Sequence, residues 1–345
     1  MTRGNSALAQ PSAAGAPSND ATPSAGIGRA HGKVILLGEH AVVYGASALA
    51  LPVSQLAVTA TAGWSAHGPA EPGGVSFTVN GSISGPEMSQ STGGLHELVD
   101  EFKKSAGAGE NAPHLDITID CLIPPGRGLG SSAARARAVA LALADLFGRE
   151  LTEPEVFDLV QIAENMAHGK ASGVDATATG SAFPLLFSKG TADELPLGIG
   201  NESLVIVADS GDFGRTKDAV DMLGARFRRA AGAKERFIDR ATELTDDAVR
   251  HLAEGRAEVF GRQLTAYHEL LASAGLSTGR IDTLVEVALG AGSLGAKITG
   301  GGLGGCMIAL AREPEQARKI VRRLYGAGAV QTWSIPLGRF AHRAP

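Results

Sequence analysis

PPGRGLGSSAARARA (Pro124–Ala138) sets Gly126, Gly128 and Gly130 at alternate positions, adds two serines and opens an Ala-rich run. A loop this poor in side chains leaves its backbone N–H groups uncovered. Before it, LDITIDCLIP (Leu115–Pro124) alternates as a half-buried strand does. After it, SAARARAVALALADLFG reads as a helix closed by Gly148 at the C′ position. Strand, glycine loop and helix start, in that order, aim free N–H groups and the positive end of a helix dipole at one point. That arrangement suits an anion, most often a phosphate. It is not a P-loop, which needs a lysine just before its Ser or Thr; here Gly130 precedes Ser131. The plainer reading is that Ser131 or Ser132 caps the helix.

The 345-residue chain has room for about two domains. Its 44% hydrophobic and 19% charged residues describe an ordinary globular protein. A net charge of −5 gives no electrostatic support to a nucleic-acid partner. Cys121 and Cys306 lie far apart without ligand spacing, which argues against a disulfide framework and a zinc site and fits a cytoplasmic setting. Residues 1–27 are rich in Ala, Ser, Pro and Gly and read as a disordered tail. No apolar run reaches the roughly 20 residues of a membrane helix, so no membrane partner is expected.

Strands are expected at Lys33–Gly38, Ala48–Val53, Leu56–Ala62, Val75–Val79 and Ser203–Ser210, and a helix at Gly93–Ala106. Thr152 and Glu155 form a capping box, with Pro154 in the first turn of a helix running to about His168 and stopping at Gly169. Val156, Leu159, Val160 and Ala163 make its apolar stripe, and Glu164 lies off that stripe, where a glutamate is usually solvated. SGVDATATGSAFPLLF reads as loop and strand, Lys217 to Ser273 as mostly helical, PEQARKIVRRLYGAG as a helix and AVQTWSIPL as a strand. The fold class is α+β with two domains, 28–200 and 201–345, the boundary falling near Gly198–Asn201.

KITGGGLGGC (Lys297–Cys306) contains G-x-G-x-x-G at Gly300, Gly302 and Gly305. A dinucleotide fingerprint must open a helix, yet strand-like CMIALA follows, so a glycine turn between two strands is the better reading. The two glycine loops serve one nucleotide if the domains face each other.

Three segments together resemble, in order, the three motifs of the GHMP superfamily of galactokinases, homoserine, mevalonate and phosphomevalonate kinases. They are GKVILLGEHAVVYG (Gly32–Gly45), PPGRGLGSSAA (Pro124–Ala134) and KITGGGLGGC. The lysine and the GEHAVVYG tail of the first, with SGVD ending at Asp175, are most similar to the mevalonate kinase branch. The resemblance covers nearly everything from Gly28 onward. It implies an N-terminal domain like the second domain of ribosomal protein S5, a ferredoxin-like C-terminal domain and a cleft between them. It implies ATP as phosphate donor, Mg²⁺ as metal and mevalonate as the small-molecule substrate, phosphorylated on its C5 hydroxyl. Backbone at Pro125, Gly126, Gly128, Leu129, Gly130, Ser131, Ser132 and Ala133 would wrap the ATP phosphates. Ser132 and Glu164 would hold the metal through hard oxygens. Asp175 would accept the hydroxyl proton and Lys33 would favour the oxyanion as it forms. Lys33, Glu39, His40, Asp175 and Thr216 would line the substrate pocket, and Lys297 with Thr299, Gly300, Gly301 and Gly302 would support the phosphate loop. Two positions depart from the family: His31 stands where proline is usual, and Arg135 where animal members carry tyrosine.

Taken alone, Lys33 could be a strand-edge lysine, Asp175 a turn residue and His40 a hydrogen-bonded structural histidine. A phosphomevalonate kinase, another small-molecule kinase, a catalytically dead binding protein and a NAD-dependent dehydrogenase are the alternatives. Glu39 and His40 suit a substrate with one carboxylate and hydroxyls better than a phosphorylated one. A homodimer stays open.

Overall fold

The computed structural model describes residues 25–65, 74–81, 87–108, 112–168, 171–188, 190–195, 197 and 202–340, with backbone alone at 87–91 and 167–168. The tail through residue 24, the helix stop at Gly169 and the boundary at Gly198–Asn201 lie outside them. Two sheets organise the chain. The first holds β1 (Ala25–Leu37), β2 (Ala48–Trp64), β3 (Val75–Gly81), β4 (Leu115–Cys121), β5 (Leu185–Ser188) and β6 (Thr191–Glu194). Its order is β3-β4-β2-β5-β6 with β1 also on β2, and only β3 and β4 run parallel. With it go α1 (Glu87–Ser105), α2 (Ser131–Leu146), α3 (Glu153–His168) and α4 (Val174–Ala178). The second sheet holds β7 (Leu204–Asp209), β8 (Gly295–Thr299), β9 (Cys306–Ala311) and β10 (Gln331–Pro336). Its helices are α5 (Thr216–Arg229), α6 (Ala233–Ala253), α7 (Ala257–Ser273), α8 (Gly279–Gly290) and α9 (Pro314–Gly326). The order β10-β7-β9-β8, antiparallel throughout, is the ferredoxin-like arrangement.

Helix α2 explains its own composition. Residues on most of its circumference are buried between Ala133 and Leu146, Leu141 and Asp145 excepted, because it packs against β1, β2 and α3 at once. A Cβ on Gly28 would sit 1.9 Å from the Ala138 carbonyl, and one on Gly26 2.2 Å from that of Ala142. Strand and helix backbones therefore touch, which only Gly on one side and Ala on the other permit. This contact fixes the start of α2, and so the glycine loop before it, relative to β1.

Some elements differ from expectation. Ala48–Val53 and Leu56–Ala62 belong to one 17-residue strand; the register with β1 shifts between His31 and Gly32, leaving Ser54 and Gln55 exposed mid-strand. Strand β1 begins at Ala25, where it pairs with Gly63, and α1 begins at Glu87 rather than Gly93. SGVDATATG contains the helical turn α4, and α8 follows α7. The capping box forms: Thr152 N–H donates to Glu155 Oε2 at 2.7 Å and Glu155 N–H to Thr152 Oγ1 at 3.4 Å.

Candidate active site

The first glycine loop holds Gly126, Gly128 and Gly130 at φ of 64°, 75° and 75°, the left-handed region that favours glycine. Gly130 is the N-cap of α2 and no side chain caps the helix, so neither Ser131 nor Ser132 does what the plainer reading assigned. The first N–H groups of a 16-residue helix are thereby left for another acceptor. The second glycine loop, 300–305, turns β8 into β9, so the dehydrogenase fingerprint is excluded. The two loops meet. A Cβ on Gly128 would lie 3.0 Å from Gly300 Cα, and one on Gly300 2.6 Å from Gly128 Cα. Thr216, first in α5, has Oγ1 1.8 Å from where a Gly301 Cβ would sit, and His40 Nε2 is 3.2 Å from that of Gly302.

Lys33 is not at a strand start: it is buried within β1, an edge strand that pairs with β2 alone among the described strands. Its backbone N–H donates to Leu129 O at 3.0 Å, and Nζ donates to Gly128 O at 3.1 Å. The same ammonium lies 3.1 Å from Asp175 Oδ1. Asp175 stands in the first turn of α4 rather than in a loop, and its side chain is 37% exposed, open to an incoming molecule. One lysine thus joins an accessible carboxylate to the crest of the glycine loop.

Glu39 and His40 follow the turn after β1. Glu39 pairs with the fully buried Lys297 of β8, which also donates to Ile298 O at 2.6 Å. Tyr267 of α7 donates its hydroxyl to Glu39 O at 3.1 Å. Burial raises the Glu39 pKa and Lys297 opposes it; burial lowers the Lys297 pKa and Glu39 opposes it. The pair clamps the two domains, as does Thr299 Oγ1, which accepts from Ile35 N–H at 3.1 Å and donates to Ile35 O at 2.9 Å. His40 adopts φ 61°, and its buried Nε2 has no hydrogen-bond partner among the described residues, unlike a satisfied structural histidine. Burial, helped by the Lys297 charge, pushes its pKa to about 4, so the ring is neutral at pH 7.

Glu164, expected to be solvated, is only 3% exposed. Helix α3 packs on both α1 and α2, so a second face is covered besides the apolar stripe. Its charge acts on Arg135 of α2, whose Nε donates to Ser131 O at 3.1 Å. The buried Glu164 carboxylate, whose charge reaches Arg135 in α2, and the Ser132 hydroxyl in the first turn of that helix are both hard-oxygen donors. They fit a magnesium ion that keeps water and phosphate oxygens for most of its shell. Among the described residues no cluster of three or more His, Cys, Asp or Glu could hold a metal by itself. His31 lies inside β1, its Nδ1 2.9 Å from Gly32 O.

One residue of the first loop escaped the sequence reading. Arg127 reaches across to Asp209 at the end of β7, with Nε 3.0 Å from the carboxylate, and no local signal announces that partner.

Comparison with known proteins shows which family the chain resembles in sequence and in fold. Residues 95–182 match the GHMP kinases N terminal domain and 248–329 the GHMP kinases C terminal domain. The mevalonate kinase of Aeropyrum pernix is 33% identical over 317 residues, covering 89% of this chain and 94% of that protein. That of Pyrococcus horikoshii is 31% identical over 311 residues, covering 86% and 91%. Among solved structures, mevalonate kinase of L. major in complex with R-mevalonate superimposes with a TM-score of 0.77 at 25% identity, over 93% of this chain and 98% of that one. Mevalonate kinase from methicillin-resistant Staphylococcus aureus gives 0.68 at 29% identity, over 92% and 100%.

Proposed function

The chain belongs to the mevalonate kinase family of GHMP kinases, and from that premise we propose how it transfers the γ-phosphoryl group of ATP to the C5 hydroxyl of (R)-mevalonate. The products are 5-phosphomevalonate and ADP, a step of the mevalonate pathway to isoprenoids. Lys33, which bridges Asp175 and the Gly128 carbonyl, is the observation that carries the mechanism.

Phosphoryl transfer asks a protein for alignment and charge stabilisation more than for covalent chemistry. Backbone N–H groups of Gly126, Gly128, Leu129, Gly130, Ser131, Ser132 and Ala133 receive the ATP phosphates at the uncapped start of α2, and Thr299 to Gly302 back that loop from the second domain. The mevalonate hydroxyl oxygen attacks the γ-phosphorus as the bond to the β,γ-bridging oxygen breaks and ADP leaves. Its proton passes to Asp175. The Lys33 ammonium stabilises negative charge building on the attacking oxygen and holds the Asp175 carboxylate in place. Neutral His40 and Thr216, gathered at Gly301 and Gly302, supply hydrogen-bonding groups for the substrate. Ser132 and Glu164 would hold Mg²⁺, which neutralises phosphate charge when bound. A cytoplasmic setting suits two free, buried cysteines.

The test is ADP release measured by a coupled assay with mevalonate and 5-phosphomevalonate side by side. Turnover on mevalonate alone is expected; turnover only on phosphomevalonate would overturn the substrate assignment.

A further inference from the structure

The first glycine loop carries one charged side chain, Arg127, and its guanidinium reaches into the C-terminal domain. Nε lies 3.0 Å from both Asp209 oxygens, and Nη2 donates to Gly211 O at 3.0 Å. The guanidinium carbon stands 4.4 Å from the centre of the Phe213 ring. The arginine and aspartate side chains are 12% and 5% exposed, so little water screens the pair. Nη1 is buried with no hydrogen-bond partner among the described residues.

The same segment, residues 209–215, grips both glycine loops through its backbone. Gly214 N–H donates to Gly126 O at 2.7 Å, and Arg215 N–H to Gly302 O at 3.1 Å. Gly305 N–H donates to Asp212 O at 2.9 Å, and Ser210 N–H to Gly305 O at 3.0 Å. A Cβ on Gly126 would strike Phe213 at 2.5 Å. Asp209 is in turn anchored by the β7 ladder and by Gly211 N–H donating to its Oδ1 at 2.8 Å. A glycine-rich loop has many conformations to lose on ordering. An anchored side chain at its crest removes that freedom before the ligand arrives.

We propose that Arg127 is a positioning residue for ATP: through Asp209 and Phe213 it locks the phosphate loop onto the C-terminal domain, so that the phosphate cradle is formed before nucleotide binds. This rests on the loop being the ATP site. It assigns Arg127 no contact with the reacting atoms. Weakening the latch therefore raises the KM for ATP and the Kd for ADP while leaving the mevalonate KM and kcat nearly unchanged.

The test compares Arg127→Ala, Arg127→Lys, Asp209→Asn and the double variant Arg127→Ala/Asp209→Asn. ADP affinity is measured by calorimetry without acceptor, KM and kcat with mevalonate, and integrity by thermal melting. Arg127→Ala and Asp209→Asn should each weaken ADP about 10-fold or more, as loss of a desolvated charge pair does, with kcat within about 3-fold. The double variant should be no worse than either single change, and Arg127→Lys should recover part of the affinity. If Asp209→Asn binds ADP normally while Arg127→Ala does not, Arg127 acts on the phosphates directly through Nη1 and the latch is wrong. Equal falls in kcat and in affinity for both substrates, with a lowered melting point, would reduce the pair to general structure and also overturn it. Absence of ADP binding to the unaltered protein would instead refute the ATP site itself.

Discussion

Lys297→Met removes the positive half of a pair sealed between the domains. Lys297 is fully buried and Glu39 is 4% exposed, so the carboxylate left behind has little water and only the weaker pull of the Lys33 charge. Removing one partner of such a pair costs about 3–5 kcal/mol. The cost depends on pH. Burial already raises the Glu39 pKa, and Lys297 is what opposes the rise; without it the carboxyl climbs further. Above the unfolded value the folded variant then holds a proton that the unfolded chain has released, so its stability falls as pH rises toward the folded pKa. Urea unfolding midpoints at pH 5 and pH 8 read this out. Relative to the unaltered protein, the variant should lose about 3–5 kcal/mol at pH 8 and clearly less at pH 5, each pKa unit being worth about 1.4 kcal/mol. Glu39→Gln/Lys297→Met should recover about 1–2 kcal/mol of that loss, because no buried charge is stranded. An equal loss at both pH values, or one below about 1 kcal/mol, would refute the argument that burial of Glu39 sets the cost.

Lys33→Met should lower kcat about 100-fold or more, since both the Asp175 contact and the charge beside the attacking oxygen go; steady-state kinetics at saturating substrates checks it. Glu164→Gln should raise the Mg²⁺ concentration needed for half-maximal rate, measured by titrating the metal at fixed ATP; an unchanged midpoint removes Glu164 from the metal site. Gly128→Ala combines φ of 75° with a Cβ 3.0 Å from Gly300 Cα. It should cost about 1–3 kcal/mol of stability and weaken ADP binding, seen in melting and calorimetry.

What could be read from the chain alone followed the range of each signal. Gly126, Gly128 and Gly130 between a strand and an Ala-rich helix are a local pattern, and the loop, the helix and the Thr152 capping box form accordingly. That the loop packs on Gly300 is a contact between domains, invisible to any sequence window. Glu164 was misjudged because an apolar stripe reports one packed face, whereas α3 has neighbours on two sides. Lys33 at the head of KVILLG reads as a strand start because the pairing of Ala25 with Gly63 that lengthens β1 is long-range. The short α4 hid under Thr and Gly residues of weak helix propensity, yet it is what places Asp175 beside Lys33. Arg127 carried no signal at all, since its meaning lies in Asp209 on the far sheet.

The central claim is that Asp175 takes the proton of the acceptor hydroxyl in a site that Lys33 and the glycine loop hold together. It is tested most directly by Asp175→Asn, with kcat measured at saturating ATP and mevalonate and ADP affinity measured alongside. The account predicts a fall in kcat of about 100-fold or more, the range for a lost general base, with ADP binding within a few-fold. A variant that keeps most of its kcat would contradict it.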